Sequence, residues 1–315
     1  MANINTGNFG TFLEGIAEHL DTGLANRQKQ AIYTQYMDIK DTSRIVERDV
    51  DFEGMAALQD HVEGSPVGEL DAKEGFPQAY TQHQFAGLID ITKPMEHFSQ
   101  VDLVEKLVQK LMDAAYKAKE IIGTDYLEFG DSAIASVPLV NGRPIINSIQ
   151  GNGVTIFNAT QTWKSGGPTY ATKSAAADSL SETAIDTAWT NVRRWVDDKG
   201  APLDVKLTAL IIPPDLFSEA NKTMFSELEP DTANNAINVA PKQLRKRIIE
   251  NQWLSSGTQW YLMTDAKEGS LSWFKGWDDQ VETAKPNIRT GNRCISVEFS
   301  CATGVNRNLK LYKVA

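Results

Sequence analysis

The sequence predicts an α+β protein organised around one very long helix, and three observations predict it. Residues 78–95 carry strand-like alternation. Directly after them Val104, Leu107, Val108, Leu111, Ala115, Ala118, Ile122, Tyr126 and Phe129 recur at three- and four-residue steps, the spacing of one helix face. Further strand-like and helix-like runs then follow in mixed order to the C-terminus. From Val104 to Phe129 such a helix rises roughly 38 Å at 1.5 Å per residue, against an average helix of about 11–12 residues. It is a strut.

Before the strut, residues 1 to about 45 read as an arm with helical content. Phe9, Phe12, Leu13, Ile16, Ala17, Leu20 and Leu24 form one apolar stripe, broken by Gly15 and Gly23. From Ile45 the chain turns extended and acidic. It reaches a Gly- and Pro-bounded stretch from Gly64 to Pro77 that reads as the tip of an extended loop.

After the strut, Gly130 to about Asp178 lacks a helix period. Short strand pieces flank the Asn141-Gly142 turn, and so long an irregular stretch suits a functional or interface loop. Ser179 and Glu182 read as a capping box, opening a helix with Ile185, Ala188, Trp189, Val192, Trp195 and Val196 on one face and Gly200 as its stop. Leu207 to Ile212 is a buried strand stopped by Pro213 and Pro214, and Asp215 is placed to cap the next helix. Residues 259–264, 270–274, 292–302 and 309–314 read as strands.

Composition excludes several classes. With 41% hydrophobic and 23% charged residues, the chain has the balance of a soluble globular protein. It holds no run of eighteen apolar residues, so no membrane span is expected. The first ten residues lack the basic start and apolar core of a secretory signal, so synthesis in the cytoplasm is expected. Cys294 and Cys301 are seven apart, on opposite faces of an uninterrupted strand, and are expected as buried thiols rather than a disulfide.

A net charge of −10 argues against coating nucleic acid with the whole surface. The charge is uneven. Glu47 to Glu74 holds nine acidic residues against two basic, and Lys285 to Ala315 six basic against one acidic. Either stretch can be a solvated face. Alternatively the acidic arm of one copy lies on a basic strand of its neighbour, which fixes register and steers association.

No catalytic pattern emerges. His19, His61, His83 and His97 are scattered, no Gly-x-Ser-x-Gly elbow or phosphate loop is present, and no metal or cofactor is expected. The pairs Asp197-Asp198 and Asp278-Asp279 lie beside Gly-containing turns and read as turn caps. Lys242, Arg245, Lys246 and Arg247 form the one dense basic cluster, either a basic helix face with Leu244, Ile248 and Ile249 turned inward or a contact to DNA or another copy. All seven tryptophans follow residue 160. Most should be core, with Trp273 and Trp277 the better interface candidates.

The order of these pieces resembles the major capsid proteins of tailed bacteriophages, with the HK97-like fold, and most closely the major head subunits of Mu-like phages. The residues that carry it are Gln82-His-Gln-Phe-Ala-Gly-Leu-Ile-Asp-Ile-Thr-Lys-Pro-Met95, the long helix, and Asn141-Gly-Arg-Pro-Ile-Ile146. Leu180-Ser-Glu-Thr-Ala-Ile185 and Leu207-Thr-Ala-Leu-Ile-Ile-Pro-Pro-Asp-Leu216 continue it.

The resemblance implies an N-terminal arm (1–50), an E-loop (51–91), and a peripheral domain (92–200) with a spine helix at 99–129. An axial domain (201–264), further peripheral strands (265–306) and a C-terminal strand returning to the axial domain (307–315) complete it. It implies a structural, non-enzymatic protein assembling into hexamers and pentamers of an icosahedral head around double-stranded DNA. Portal, cement or decoration proteins and a separate scaffolding protein are the implied partners, and the virion the implied location. Inter-subunit contacts are expected at Glu63, Glu69, Asp71, Glu74, Arg289, Arg293, Trp273 and Trp277. Two alternatives remain: an encapsulin-like nanocompartment, or a soluble enzyme or ligand-binding protein using the loop at 130–178.

Overall fold

A computed structural model describes residues 30–58, 60, 61, 63, 64, 66–70, 73–97, 101–132, 139, 140, 143, 144, 146–226, 244, 247–283 and 291–314. The apolar stripe between Phe9 and Leu24 lies outside them.

The strut is present as α2 (Val101–Glu128), preceded by the short α1 (Lys93–His97). Val104, Val108, Leu111 and Met112 pack against Ile91, Ile295 and Val297. These strand residues belong to a four-stranded sheet ordered β1-β10-β11-β4, from β1 (Met37–Asp41), β10 (Leu271–Thr283), β11 (Arg293–Gly304) and β4 (His83–Ile91). Gly87 on β4 lets the helix come close, since a Cβ there would lie 3.2 Å from Leu111 Cδ1. Strand β4 thus runs within this sheet, antiparallel to β11. The part of 51–91 that leaves the sheet is the stretch before it.

A second sheet is ordered β12-β9-β7-β8, from β12 (Leu311–Val314), β9 (Trp260–Thr264), β7 (Leu207–Ile212) and β8 (Ile248–Glu250). Ala209 and Ile211 of β7 face a core shared with Tyr126, Phe157 and Trp273. Leu210 and Ile212 face a separate core, with Ile185 and Val192 of α3 (Glu182–Arg193) and Ala220 and Met224 of α4 (Phe217–Phe225). A strand covered on both faces reads as a continuous apolar run. Packing groups α3 with β7 and β9, although it precedes residue 201.

The irregular stretch at 146–178 is a packed part of the subunit. Ile156, Phe157, Trp163 and Tyr170 are buried, and Gln150, Gln161 and Asn308 tie its turns to the C-terminal strand region (Asn308 N donates to Gln150 Oε1 at 2.6 Å). The pieces β5 (Leu139–Val140) and β6 (Arg143–Pro144) pair across Asn141-Gly142.

Several local readings are corrected. The cap of α3 is Ser181, whose hydroxyl accepts from Ala184 N, so Glu182 is the first helical residue rather than the third. That helix ends at Arg193, and Gly200 serves a later turn with φ +84. Asp215 sits in a 3-10 turn, Pro214–Leu216, and α4 begins without a side-chain cap. Leu244 and Ile249 are buried as expected, but residues 248–250 form a strand parallel to β7, not a helix face. Asp279 is mid-strand and buried, with its carboxylate 2.7 Å from Lys119 Nζ. It pairs a helix lysine rather than capping a turn.

Candidate inter-subunit surface

Strands β2 (Val46–Phe52) and β3 (Glu74–Thr81) form a separate two-stranded ribbon, pairing Val46 with Thr81 and Val50 with Pro77. The amide of Glu53 continues the ladder to Lys73 O at 2.9 Å. Between them the chain runs out into the loop tip read from the sequence. At the inner end, Tyr80 stacks on Phe274 at 5.3 Å between ring centroids. Gly304 makes room for that ring, because a Cβ would lie 2.2 Å from Tyr80 Cε1.

The polarity of β2 is inside out. In an antiparallel ribbon with one face on a core, apolar residues ordinarily point in and polar ones out. Here Val46, Val50 and Phe52 are exposed, while Glu47, Asp49 and Asp51 on the alternate positions are half-buried. Glu53, next in that row, is buried. Its carboxylate accepts hydrogen bonds from the amides of Lys164 and Ser165, and Asp51 lies 2.7 Å from Arg307. Burial pushes the Asp51 carboxyl above the usual carboxylate range, and Arg307 opposes this. The exposed apolar row extends past the ribbon through Met55, Leu58, Val67 and Leu70, with Leu58 86% and Val67 76% exposed. Arg48 shares this exposed row, and so many large apolar side chains exposed along one stretch mark an interaction site.

The charged candidates separate into groups. Glu63, Glu69 and Glu74 are exposed on the ribbon and tip, whereas Asp71, Arg289, Lys242, Arg245 and Lys246 lie outside the described residues. Arg293 is half-buried at the start of β11, opposite Ile91. Arg247 is exposed, and its guanidinium reaches Gln35 Oε1 at 3.4 Å.

Three cations of the basic C-terminal stretch are engaged within their own subunit. Arg307 pairs with Asp51 and Glu268, Lys310 donates to Ala266 O, and Lys313 is buried against Asp131. These three cations do not form a free strip for a neighbour's arm. Trp273 is also corrected: it is 3% exposed and packs on Tyr33 at 4.7 Å, inside the core. Trp277 is exposed beside the irregularity in β10.

Cys301 is buried, and burial pushes its thiol up to about 12. Cys294 is only half-buried, with Sγ 2.8 Å from Asp90 Oδ1. The hydrogen bond to Asp90 raises its pKa. Among the described residues no group of His, Cys, Asp and Glu is arranged to hold a metal ion. None of the described helices is long and apolar enough to cross a membrane.

Residues 75–314 match the family model described as phage capsid protein. The chain belongs to that phage capsid protein family. Among solved structures, the capsid of Ralstonia phage GP4 is similar at 11% identity, covering 88% of this chain and 86% of that one, with a TM-score of 0.55. A protein of Microbacterium phage Oxtober96 is similar at 9% identity, covering 90% of each chain, with a TM-score of 0.52. At these identities the likeness establishes the fold. No curated protein matches by sequence. The major capsid protein reading with an HK97-like fold therefore stands, as a structural protein of the virion shell, and the nanocompartment alternative is set aside.

Proposed function

We propose that this phage capsid protein builds the hexamers and pentamers of an icosahedral head around double-stranded DNA, and that the β2–β3 ribbon and its loop are covered by an adjacent copy. The carrying observation is the inside-out ribbon, which holds its acidic row against its own body and offers an apolar row outward. Glu63, Glu69, Asp71 and Glu74 then rim the apolar contact and set register more than affinity. Trp277, Arg289 and Arg293 remain candidates for the receiving side, and Lys242, Arg245, Lys246 and Arg247 for weak contact with the packaged DNA or a further copy. The protein acts without catalysis. A separate scaffolding protein, a portal and cement proteins complete the head, with synthesis in the host cytoplasm.

The test replaces Leu58 and Val67 with serine. Each side chain contributes about 1.5–3 kcal/mol when fully buried, so losing both from every contact should abolish particles in electron microscopy and sedimentation. The unfolding transition should be unchanged, because both are exposed in the subunit. Normal shells from this variant would defeat the reading. Reversing Glu69, Asp71 and Glu74 to lysine tests the rim, and should slow assembly more than it lowers particle stability. Particles of the unaltered protein from infected cells should show the ultraviolet absorbance ratio of packaged nucleic acid.

A further inference from the structure

Asp51 and Glu53 meet the body at one spot, at the end of the ribbon that leads into the loop. Both line a small, partly enclosed cavity of about 20 Å³, with Phe76, Trp163, Asn306 and Arg307 among its walls. The Arg307 guanidinium lies 4.5 Å from the centroid of the Trp163 ring while it pairs with Asp51. Three donors in this wall, Trp163 Nε1, Asn306 Nδ2 and Arg307 Nε, make no hydrogen bond to the described residues. Trp163 and Asn306 are nonetheless more than nine-tenths buried. A buried donor left unpaired is costly, and three on residues lining one cavity call for an acceptor.

We propose that this cavity is a binding site for one water molecule, and that the hydrated ion pair around it is a clasp fixing the angle at which the loop leaves the ribbon. The volume suits one water, which needs about 10–15 Å³ and two to four polar partners. A water oxygen accepts two hydrogen bonds and donates two, matching N–H donors on one side and the Asp51 and Glu53 carboxylates on the other. The clasp is polar where an apolar joint would serve for anchoring alone. Its hydrogen bonds have sharp directional optima, so it sets an orientation rather than merely holding on. Lys164 Nζ reinforces it from outside by donating to Gly75 O at 3.0 Å.

The test lies within one subunit, so its failure leaves the assembly reading untouched. A map of the full-length protein that resolves other buried waters should show one within hydrogen-bonding distance of two of the three donors. In Arg307→Met, amide hydrogen exchange in residues 46–52 and 74–81 should rise at least about tenfold, with residues 207–212 unchanged. If that variant does not fold, Asp51→Asn, which removes the charge and keeps the shape, is read the same way. Trp163→Phe should lose the water while keeping the ring stack. A dry cavity in such a map, or unaltered ribbon exchange in a folded variant, would overturn the clasp.

Discussion

Asp131 answers two lysines, with its Oδ2 2.8 Å from Lys173 Nζ and 3.1 Å from Lys313 Nζ. Lys313 is 1% exposed, its ammonium 5.9 Å from the ring centroids of both Phe157 and Tyr261. Burial alone would raise the Asp131 carboxyl, but the two lysines together outweigh it and hold it below the usual range. Burial lowers the Lys313 pKa, with Asp131 opposing. Asp131→Ala strands a buried cation and should cost about 3–5 kcal/mol in denaturant unfolding. Lys313→Met keeps the volume and leaves Asp131 its other lysine, and should stay within about 1 kcal/mol. Asp125 differs, because burial, with Glu128 adding repulsion, pushes its pKa up to about 7 from 3.8. The folded state then binds a proton the unfolded chain has released, so stability falls as pH rises from about 4 to about 7. Asp125→Asn should flatten that loss in thermal melts across this range. None of this was legible from spacing. The alternation at 309–314 marked a strand, yet all four residues of β12, Lys313 among them, are buried. The irregular stretch at 146–178, which carries no period of its own, packs on Lys313 through Thr172, Lys173 and Phe157.

Among the elements, the long helix was legible because its apolar stripe is continuous, a signal that requires no knowledge of the partner it packs on. What the stripe concealed is two buried charges. Lys119 and Glu120 are buried on α2, Lys119 against Asp279 and Glu120 accepting from the amides of Ile32 (2.7 Å) and Tyr33 (3.2 Å). Those partners are distant in sequence, so local reading could not find them. The same contact explains Gly123, where an added Cβ would stand 2.4 Å from Tyr33 Cβ. Alanine is worth about 1 kcal/mol over glycine in a helix interior, but overpacking costs about 1–3 kcal/mol. Gly123→Ala should therefore lower the melting temperature in a thermal melt, because the atom in the way is a Cβ that cannot swing aside. Helix ends were less legible than helix bodies. Ser179 and Ser181 both suit a cap, and only the approach of the chain to the second core selects Ser181.

For the molecule as a whole, the order of elements carried the fold, since a strut flanked by a strand and a projecting loop survives large changes of sequence. The surface was harder. Charge totals suggested an acidic arm meeting a basic strand of another copy. Folding instead brings Asp51 and Arg307, 256 positions apart in the numbering, into one subunit. Charge counted along a chain does not say which partner is intramolecular. The inside-out ribbon escaped notice for a related reason, because alternation reveals two faces but not which one meets the body. That ribbon gives the shell a thermal signature. Contacts made by covering valine, leucine and phenylalanine draw on water released from apolar surface, a drive that weakens on cooling. Chilled particles should loosen and shed subunits in light scattering, then reassemble on warming.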